Sequence, residues 1–103
     1  MRVMTQFEQW LEKVNKIRKE YWDKNFAYKE YTPLTYVKGR NYVRIMSEGS
    51  VWGFVAMKDN PKKGEIMGDL LKPASWKAPA KHSRGNIFNG TDQWEFFGPK
   101  YLK

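Results

Sequence analysis

The chain opens with a helical pattern of apolar and polar residues. Thr5 and Glu8 have the spacing of a capping box, which predicts a helix over residues 5–24. Charged side chains occupy the opposite stripe of this helix. Such a stripe most often faces a protein core, and a dimer seam is the rarer use. The apolar stripe consists of Phe7, Trp10, Leu11, Val14, Ile17, Tyr21 and Trp22.

After Pro33 the pattern changes to the two-residue period of strands. Residues 35–46 predict one long or bent strand, with a bulge at Gly39. Residues 51–57 are apolar throughout, which is typical of a central strand covered on both faces. Residues 65–71 complete the pattern. The sequence therefore predicts a three-stranded antiparallel meander over residues 35–71, with the helix on one of its faces.

The last third of the chain has a different character. Residues 72–86 contain two prolines, four Lys or Arg residues, one His and no acidic residue, so we expect irregular structure over residues 72–103. The 103 residues are 17% aromatic, enough apolar material for one core. The predicted fold class is therefore α+β, in a single domain over residues 1–103.

Charge narrows the range of partners. The net charge is +8, and half of this excess lies in residues 71–103, which carry six basic and two acidic residues. A basic protein favours anionic partners such as nucleic acid or an acidic protein face. No stretch approaches the roughly 20 apolar residues that span a bilayer, so we expect no membrane partner. The absence of cysteine fits a reducing compartment, and no secretory leader is recognisable, so the predicted location is the cytoplasm.

Candidate catalytic and metal-binding residues are sparse. The only histidine, His82, lies in a basic stretch without an adjacent carboxylate to orient it as a base. The spacing of a calcium-binding EF-hand loop is not found in Asp59, Asn60, Glu65 and Asp69. The glycines do not form either of the glycine-rich motifs that bind the phosphates of nucleotides. The sequence therefore predicts no catalytic residue, no metal site and no cofactor, and a protein that is not an enzyme.

The basic segment contains the best candidate site. Lysine and arginine neutralise phosphates, and an embedded tryptophan can stack on a base, as in surfaces that bind single-stranded nucleic acid. A buried tryptophan with lysines reaching into water is the commoner alternative. Alternation along the first strand also places Tyr42, Arg44 and Met46 on one face. The predicted nucleic-acid-binding residues are Lys72, Trp76, Lys77, Lys81 and Arg84, supported by Arg40 and Arg44.

Two other functions remain open from the sequence. A non-enzymatic protein–protein adaptor, or a modulator of a host enzyme, would dock through exposed aromatic rings at Trp94, Phe96 and Phe97, because aromatic residues dominate interface energetics. A small enzyme would require His82 to face a carboxylate such as Asp69 or Glu95 in a cleft. Accessibility of the three rings and the surroundings of His82 discriminate between these alternatives.

Two blocks of the sequence resemble short uncharacterised proteins of tailed bacteriophages. The first is YVKGRNYVRI at residues 36–45, and the second, more distinctive, is KPASWKAPAKHSRGNIF at residues 72–88. The resemblance implies a viral origin and a place in the bacterial cytoplasm. The basic charge of the chain leaves an acidic host or phage protein as an alternative partner to nucleic acid. It brings no assigned activity to any residue.

Overall fold

The structure, a computed structural model, describes residues 2–26, 28–96 and 98–99. Within these residues, one helix precedes seven strands. The elements are α1 (Arg2–Asn25), β1 (Thr35–Lys38), β2 (Tyr42–Ser47), β3 (Ser50–Ala56), β4 (Asp69–Pro73), β5 (Pro79–Asn86), β6 (Trp94–Glu95) and β7 (Gly98–Pro99).

The main sheet has five antiparallel strands in the order β1-β2-β3-β4-β5, and β6 pairs with β7 in a small second sheet. The class α+β describes this architecture, but the prediction of a three-stranded sheet is wrong. Each strand of the main sheet pairs with its neighbour in sequence. The two additional strands arise at the two ends of the predicted meander.

The first additional strand comes from a turn at Gly39. The Gly39 N–H donates to the Tyr42 carbonyl over 2.8 Å, which reverses the chain. A Cβ atom at position 39 would lie 2.8 Å from the same carbonyl oxygen, so glycine permits the close approach. Residues 35–46 therefore form the hairpin of β1 and β2, with Lys38 opposite Val43, and not one bent strand.

The second additional strand, β5, lies within the segment that the sequence predicts to be irregular. β5 is an edge strand, where Pro79 at the first position removes no essential ladder hydrogen bond. Its pairing with β4 shifts register twice, which disrupts the two-residue period. The predicted strand over residues 65–71 is also shorter, because a turn over residues 66–69, closed by the Asp69 N–H to the Ile66 carbonyl, precedes β4.

The helix begins at Arg2, earlier than predicted. Thr5 therefore lies inside α1 and is not its N-cap, and the carboxylate of Glu8 accepts a hydrogen bond from the Tyr36 hydroxyl instead. No helix among the described residues has an apolar run able to cross a membrane.

The core lies between α1 and one face of the main sheet. The N-terminal part of the predicted helix stripe is buried, whereas Ile17 and Tyr21 are 42% and 45% exposed. Arg18, a residue that the stripe leaves out, is buried. The core residues of α1 are Phe7, Trp10, Leu11 and Val14, which pack with Val43, Ile45, Val55 and Leu70 of the sheet.

The other face of the sheet is also partly covered. Phe54 and Leu71 are register partners and are buried, yet alternation points them away from α1. Tyr42 lies edge-on to Phe54, with 6.1 Å between ring centroids, and Arg44 is the register partner of Phe54. We call this surface, formed by Tyr42, Arg44, Phe54 and Leu71, the helix-free face.

The chain after β5 returns to the helix side. The Trp52 indole N–H donates to the Phe96 carbonyl over 2.9 Å, and the Trp10 indole N–H donates to Asp92 over 2.9 Å. A Cβ atom at Gly53 would lie 3.0 Å from the Pro99 side chain, so the lack of a side chain there admits β7. Residues 92–96 and 98–99 thus close the core beside α1.

Candidate functional site

Trp76 is a surface residue and not a core plug. Its side chain is 50% exposed, although large aromatic residues are usually well covered in domains of this size. The guanidinium carbon of Arg44 lies 5.3 Å from the centre of the Trp76 ring, within cation–π range. The pair therefore joins β2 to the loop between β4 and β5 on the helix-free face.

A compact turn presents Trp76 to solvent. The backbone N–H groups of Ala74 and Ser75 both donate to the Ala78 carbonyl, over 3.0 and 3.1 Å. The Ser75 hydroxyl accepts from the Ala78 N–H over 3.2 Å. Trp76 and the exposed Lys77 consequently lie at the tip of a turn whose backbone is internally hydrogen-bonded.

Arg44 carries an unsatisfied donor. Its Nε atom is buried and has no hydrogen-bond partner among the residues that the structure describes. Leaving a buried donor unpaired costs about 1–3 kcal/mol, so such groups are rare and often lie at functional sites. The Arg44 guanidinium carbon lies over the Trp76 ring, so the two side chains contact each other.

Further lysines surround a cleft beside this pair. The cleft has a volume of about 350 Å³ and is lined by Lys62, Lys63, Glu65, Pro79, Ala80 and Lys81. The ammonium group of Lys63 lies 5.9 Å from the centre of the Tyr42 ring. Lys62 and Lys63 were missed from the sequence, where residues 58–64 show only the Pro and Gly signals of a loop. The lining residues come from this loop, from Glu65 after it and from β5, so the cleft lies between the loop and the edge strand.

The acidic group of the cleft is internally engaged. Glu65 is only 6% exposed, and its carboxylate accepts a hydrogen bond from the Tyr42 hydroxyl over 2.6 Å. Burial, followed by the hydrogen bond and the charge of Glu65, raises the pKa of Tyr42 from 10.0 to about 12. The lysines that line the cleft are therefore exposed to solvent, whereas the carboxylate of Glu65 is buried against Tyr42.

This pKa predicts the stability of the protein in alkaline solution. In the unfolded chain Tyr42 ionises near its ordinary pKa of 10.0, but in the folded protein it ionises only near 12. The stabilisation from neutral Tyr42 is therefore complete below pH 10.0 and is lost as the pH rises to about 12. We expect the difference in unfolding free energy between the wild-type protein and Tyr42→Phe to shrink over this interval.

Urea unfolding at a series of alkaline pH values measures that difference. Tyr28→Phe is the matched control, because Tyr28 is 78% exposed, and its stability profile should follow that of the wild-type protein. If the difference in unfolding free energy between the wild-type and Tyr42→Phe proteins stays constant over this pH interval, the raised pKa of Tyr42 is contradicted.

Lys72 and Arg84 each bind a backbone carbonyl. Lys72 donates to the Pro99 carbonyl over 2.6 Å, next to the strand that packs on Gly53. Burial, and then the charge of Arg84, lowers the pKa of Lys72, whereas Glu95 opposes this shift. Arg84 donates to the His82 carbonyl. Of the predicted set, the structure brings Arg44 and Trp76 into contact and Lys81 to the adjoining cleft, whereas the exposed Arg40 lies in the β1–β2 turn.

Asp69, one of the two carboxylates considered as a partner of His82, is engaged by other groups. His82 is exposed on β5. Asp69 is buried and instead accepts hydrogen bonds from the Ile66 N–H over 3.0 Å and from the Asn86 amide over 3.1 Å. Within residues 2–26, 28–96 and 98–99, no group of three or more His, Cys, Asp or Glu residues could hold a metal ion.

The aromatic rings near the C-terminus are partly buried. Trp94 packs against the core and its indole N–H donates to Asp92, and Phe96 stacks on Trp22 with 5.7 Å between ring centroids. Trp94 and Phe96 thus lack the exposure that the adaptor alternative requires. Phe97, the third ring of that prediction, lies outside the described residues.

Fold and site together define a small α+β protein with a helix on one face of a five-stranded meander and basic and aromatic side chains on the other. The chain belongs to DUF7717, a family of unknown function, whose family model matches residues 2–98. No curated protein and no solved structure gives a significant match to the chain.

Proposed function

We propose that the protein binds single-stranded nucleic acid on the helix-free face of its sheet and is not an enzyme. The observation that carries the proposal is the half-exposed ring of Trp76, which Arg44 holds in place at the tip of the β4–β5 turn. An exposed aromatic ring next to cations is the arrangement that stacks on a base without selecting its sequence.

The surrounding charges supply the second part of the mechanism. Lys77 lies beside Trp76 in the turn, and Lys62, Lys63 and Lys81 border the neighbouring cleft. These side chains would neutralise successive phosphates while the base stacks on Trp76. Because Glu65 is buried against Tyr42, its negative charge is kept from a bound phosphate.

The resemblance of two sequence blocks to tailed-bacteriophage proteins supports a phage origin as part of the proposal. Arg44 belongs to the first sequence block that resembles tailed-bacteriophage proteins, and Trp76 belongs to the second. The two blocks are separated in sequence but meet at the 5.3 Å cation–π contact. We accordingly propose an accessory role in the bacterial cytoplasm, which the cysteine-free composition also favours.

Replacing the exposed ring tests base stacking. Trp76→Ala is expected to weaken binding to a labelled single-stranded oligonucleotide by roughly five- to a hundredfold, because stacking one base contributes about 1–3 kcal/mol. Fluorescence anisotropy at low salt measures this effect. Trp76→Phe should restore part of the affinity, and equal affinity of the alanine variant and the wild-type protein would contradict the proposal.

The neutralisation of phosphates is tested by two variants of identical net charge. The first variant replaces Lys63, Lys77 and Lys81 together with Ala, and it should bind the oligonucleotide more weakly. Its affinity should also depend less on salt: the slope of log affinity against log salt concentration should fall by about 0.7 for each phosphate that is no longer neutralised. The control variant replaces Lys13, Lys16 and Lys24 with Ala. These exposed lysines lie on α1, away from the helix-free face. Equal weakening in both variants would mean that net charge alone attracts the oligonucleotide, and no binding at low salt would refute the function.

A further inference from the structure

A second cleft lies at the C-terminal half of α1 and shares no residue with the proposed nucleic-acid site. It has a volume of about 540 Å³, within the usual range for small-molecule sites. Its walls come from α1, the connector before β1 and the β2–β3 turn. We call it the aromatic cleft, after the rings of Trp22, Phe26, Tyr28, Tyr31, Trp52 and Phe96 that line it.

A buried arginine forms part of the wall of this cleft. Arg18 is only 3% exposed, and its guanidinium carbon lies 4.1 Å from the centre of the Phe96 ring and 5.6 Å from that of Tyr31. Nε donates to the Phe96 carbonyl over 3.2 Å, and Nη1 donates to the Tyr31 hydroxyl over 2.9 Å. Arg18 lines the cleft, and neither of these hydrogen bonds uses its Nη2 atom.

The position of Arg18 is fixed by a small network. The Tyr31 hydroxyl that accepts from Arg18 itself donates to the side-chain oxygen of Asn15 over 2.7 Å. The same Asn15 oxygen accepts from the Leu34 N–H over 2.7 Å. The guanidinium is therefore held in one orientation before any ligand arrives, which reduces the entropy lost on binding.

The charge of Arg18 has no carboxylate in salt-bridge contact with it among the described residues. The one ion pair within that part of the chain joins Lys19 to Asp23 on the exposed side of α1. Glu48, on the β2–β3 turn, acts on Arg18 only through its longer-range charge, and burial lowers the pKa of Arg18. Since arginine stays protonated in proteins, the cleft contains a desolvated cation between aromatic rings.

These features select a ligand by its chemistry. The planar guanidinium matches a carboxylate, and the aromatic side chains that line the cleft provide apolar contact for a planar ring. The cleft is lined by two cations, Arg18 and Lys29, and one carboxylate, Glu48, which suits a ligand of single negative charge. We propose that the aromatic cleft binds a small planar aromatic carboxylate, with Arg18 holding the carboxylate.

Naphthoate, naphthol and acetate are the probes that test the proposal on the full chain. The indole N–H signals of Trp22 and Trp52, which both line the cleft, report binding in two-dimensional NMR spectra. Both signals should shift with naphthoate. Naphthol, which lacks the anion, and acetate, which lacks the rings, should each bind about tenfold or more weakly. Equal affinity for naphthol or for acetate would overturn the proposed ligand class.

Variants then assign the role of Arg18. Arg18→Gln should lower the affinity for naphthoate by about tenfold or more, whereas Lys16→Gln, an exposed control on the same helix, should leave it unchanged. If Arg18→Gln fails to fold, Thr32→Trp decides the question, because Thr32 is an exposed residue of the cleft wall and a large ring there obstructs entry. Wild-type affinity in a folded Arg18→Gln or Thr32→Trp protein would overturn the proposal.

The two sites are tested separately by one cross-experiment. Trp76→Ala should bind naphthoate like the wild-type protein, and Arg18→Gln, where folded, should bind the oligonucleotide like the wild-type protein. Failure of oligonucleotide binding therefore leaves the result at the aromatic cleft intact. Loss of naphthoate binding in Trp76→Ala would contradict the separation of the two sites.

Discussion

Gly85→Ala is expected to lower the unfolding free energy by about 3 kcal/mol or more. Gly85 has a φ of 92°, a left-handed conformation that residues with a side chain rarely adopt. An added Cβ atom would also lie 1.9 Å from the Thr91 carbonyl oxygen and 2.8 Å from the Asp92 Cα. Both obstacles are backbone atoms, so the loop after β5 must move to admit a methyl group.

Gly64→Ala is the matched control for this prediction. Gly64 also has a positive φ, of 69°, but no heavy atom lies within 4 Å of an added Cβ. Its substitution should cost about 1 kcal/mol, from backbone strain alone. Urea unfolding, with the midpoint and the slope fitted separately, measures both variants. Equal destabilisation at the two glycines would mean that the loop over residues 86–92 does not press on Gly85.

Phe7→Ala is expected to lower the unfolding free energy by about 3–5 kcal/mol. Phe7 is completely buried, lies edge-on to Tyr36 with 5.1 Å between ring centroids, and packs in the core between α1 and the sheet. Its removal leaves a cavity that the neighbouring strands cannot fill, because they are fixed by their hydrogen-bond ladders. The destabilisation therefore includes both the lost transfer free energy of the ring and the lost packing contacts around the cavity.

Ile17→Ala provides the contrast on the same helix. Ile17 belongs to the same apolar stripe in the sequence but is 42% exposed, so its truncation should cost no more than about 1 kcal/mol. Thermal or urea unfolding of the two variants distinguishes a stripe that is buried along its whole length from one that leaves the core halfway. Similar destabilisation in both variants would contradict the described position of α1.

The difference between Phe7 and Ile17 also shows where helix prediction from sequence succeeded and where it failed. The three-to-four-residue spacing correctly indicated a helix and its core residues Phe7, Trp10, Leu11 and Val14. It failed at Arg18, because a charged residue is expected in water by default. Burial of Arg18 depends on Tyr31 and Phe96, which are distant in sequence and have no local signal that pairs them with it.

The strands of the sheet illustrate a second limit. Residues 51–57 are apolar throughout, which predicts a central strand, and both faces of β3 are indeed covered. The residues of β5 show no alternation of apolar and polar side chains that would predict a strand. Its identity as a strand comes from pairing with β4 through two register shifts, a property of the partner as much as of β5 itself. Gly39 was identified as a break, but sequence alone favoured a bulge over the turn that separates β1 from β2.

The candidate site was predictable only in part. Alternation indicated that Tyr42 and Arg44 share a face, and the basic segment pointed to Trp76, but their contact across the sheet had no sequence signal. Lys62 and Lys63 reach the same surface because the Asn60 carbonyl accepts from the Lys63 N–H over 3.1 Å and from the Glu65 N–H over 3.0 Å, which folds the loop back. The bond from the ammonium group of Lys72 to the Pro99 carbonyl of β7 likewise has no local sequence signal.

The order of strands has a consequence for synthesis on the ribosome. Each strand of the main sheet pairs with the next one in sequence, so the sheet can assemble hairpin by hairpin as the chain emerges. The indole of Trp10, however, binds Asp92, and Trp52 binds the backbone at Phe96. The apolar surface between α1 and the sheet therefore stays incompletely sealed until residues 92–96 have left the exit tunnel, and the nascent chain is most open to chaperones in that interval.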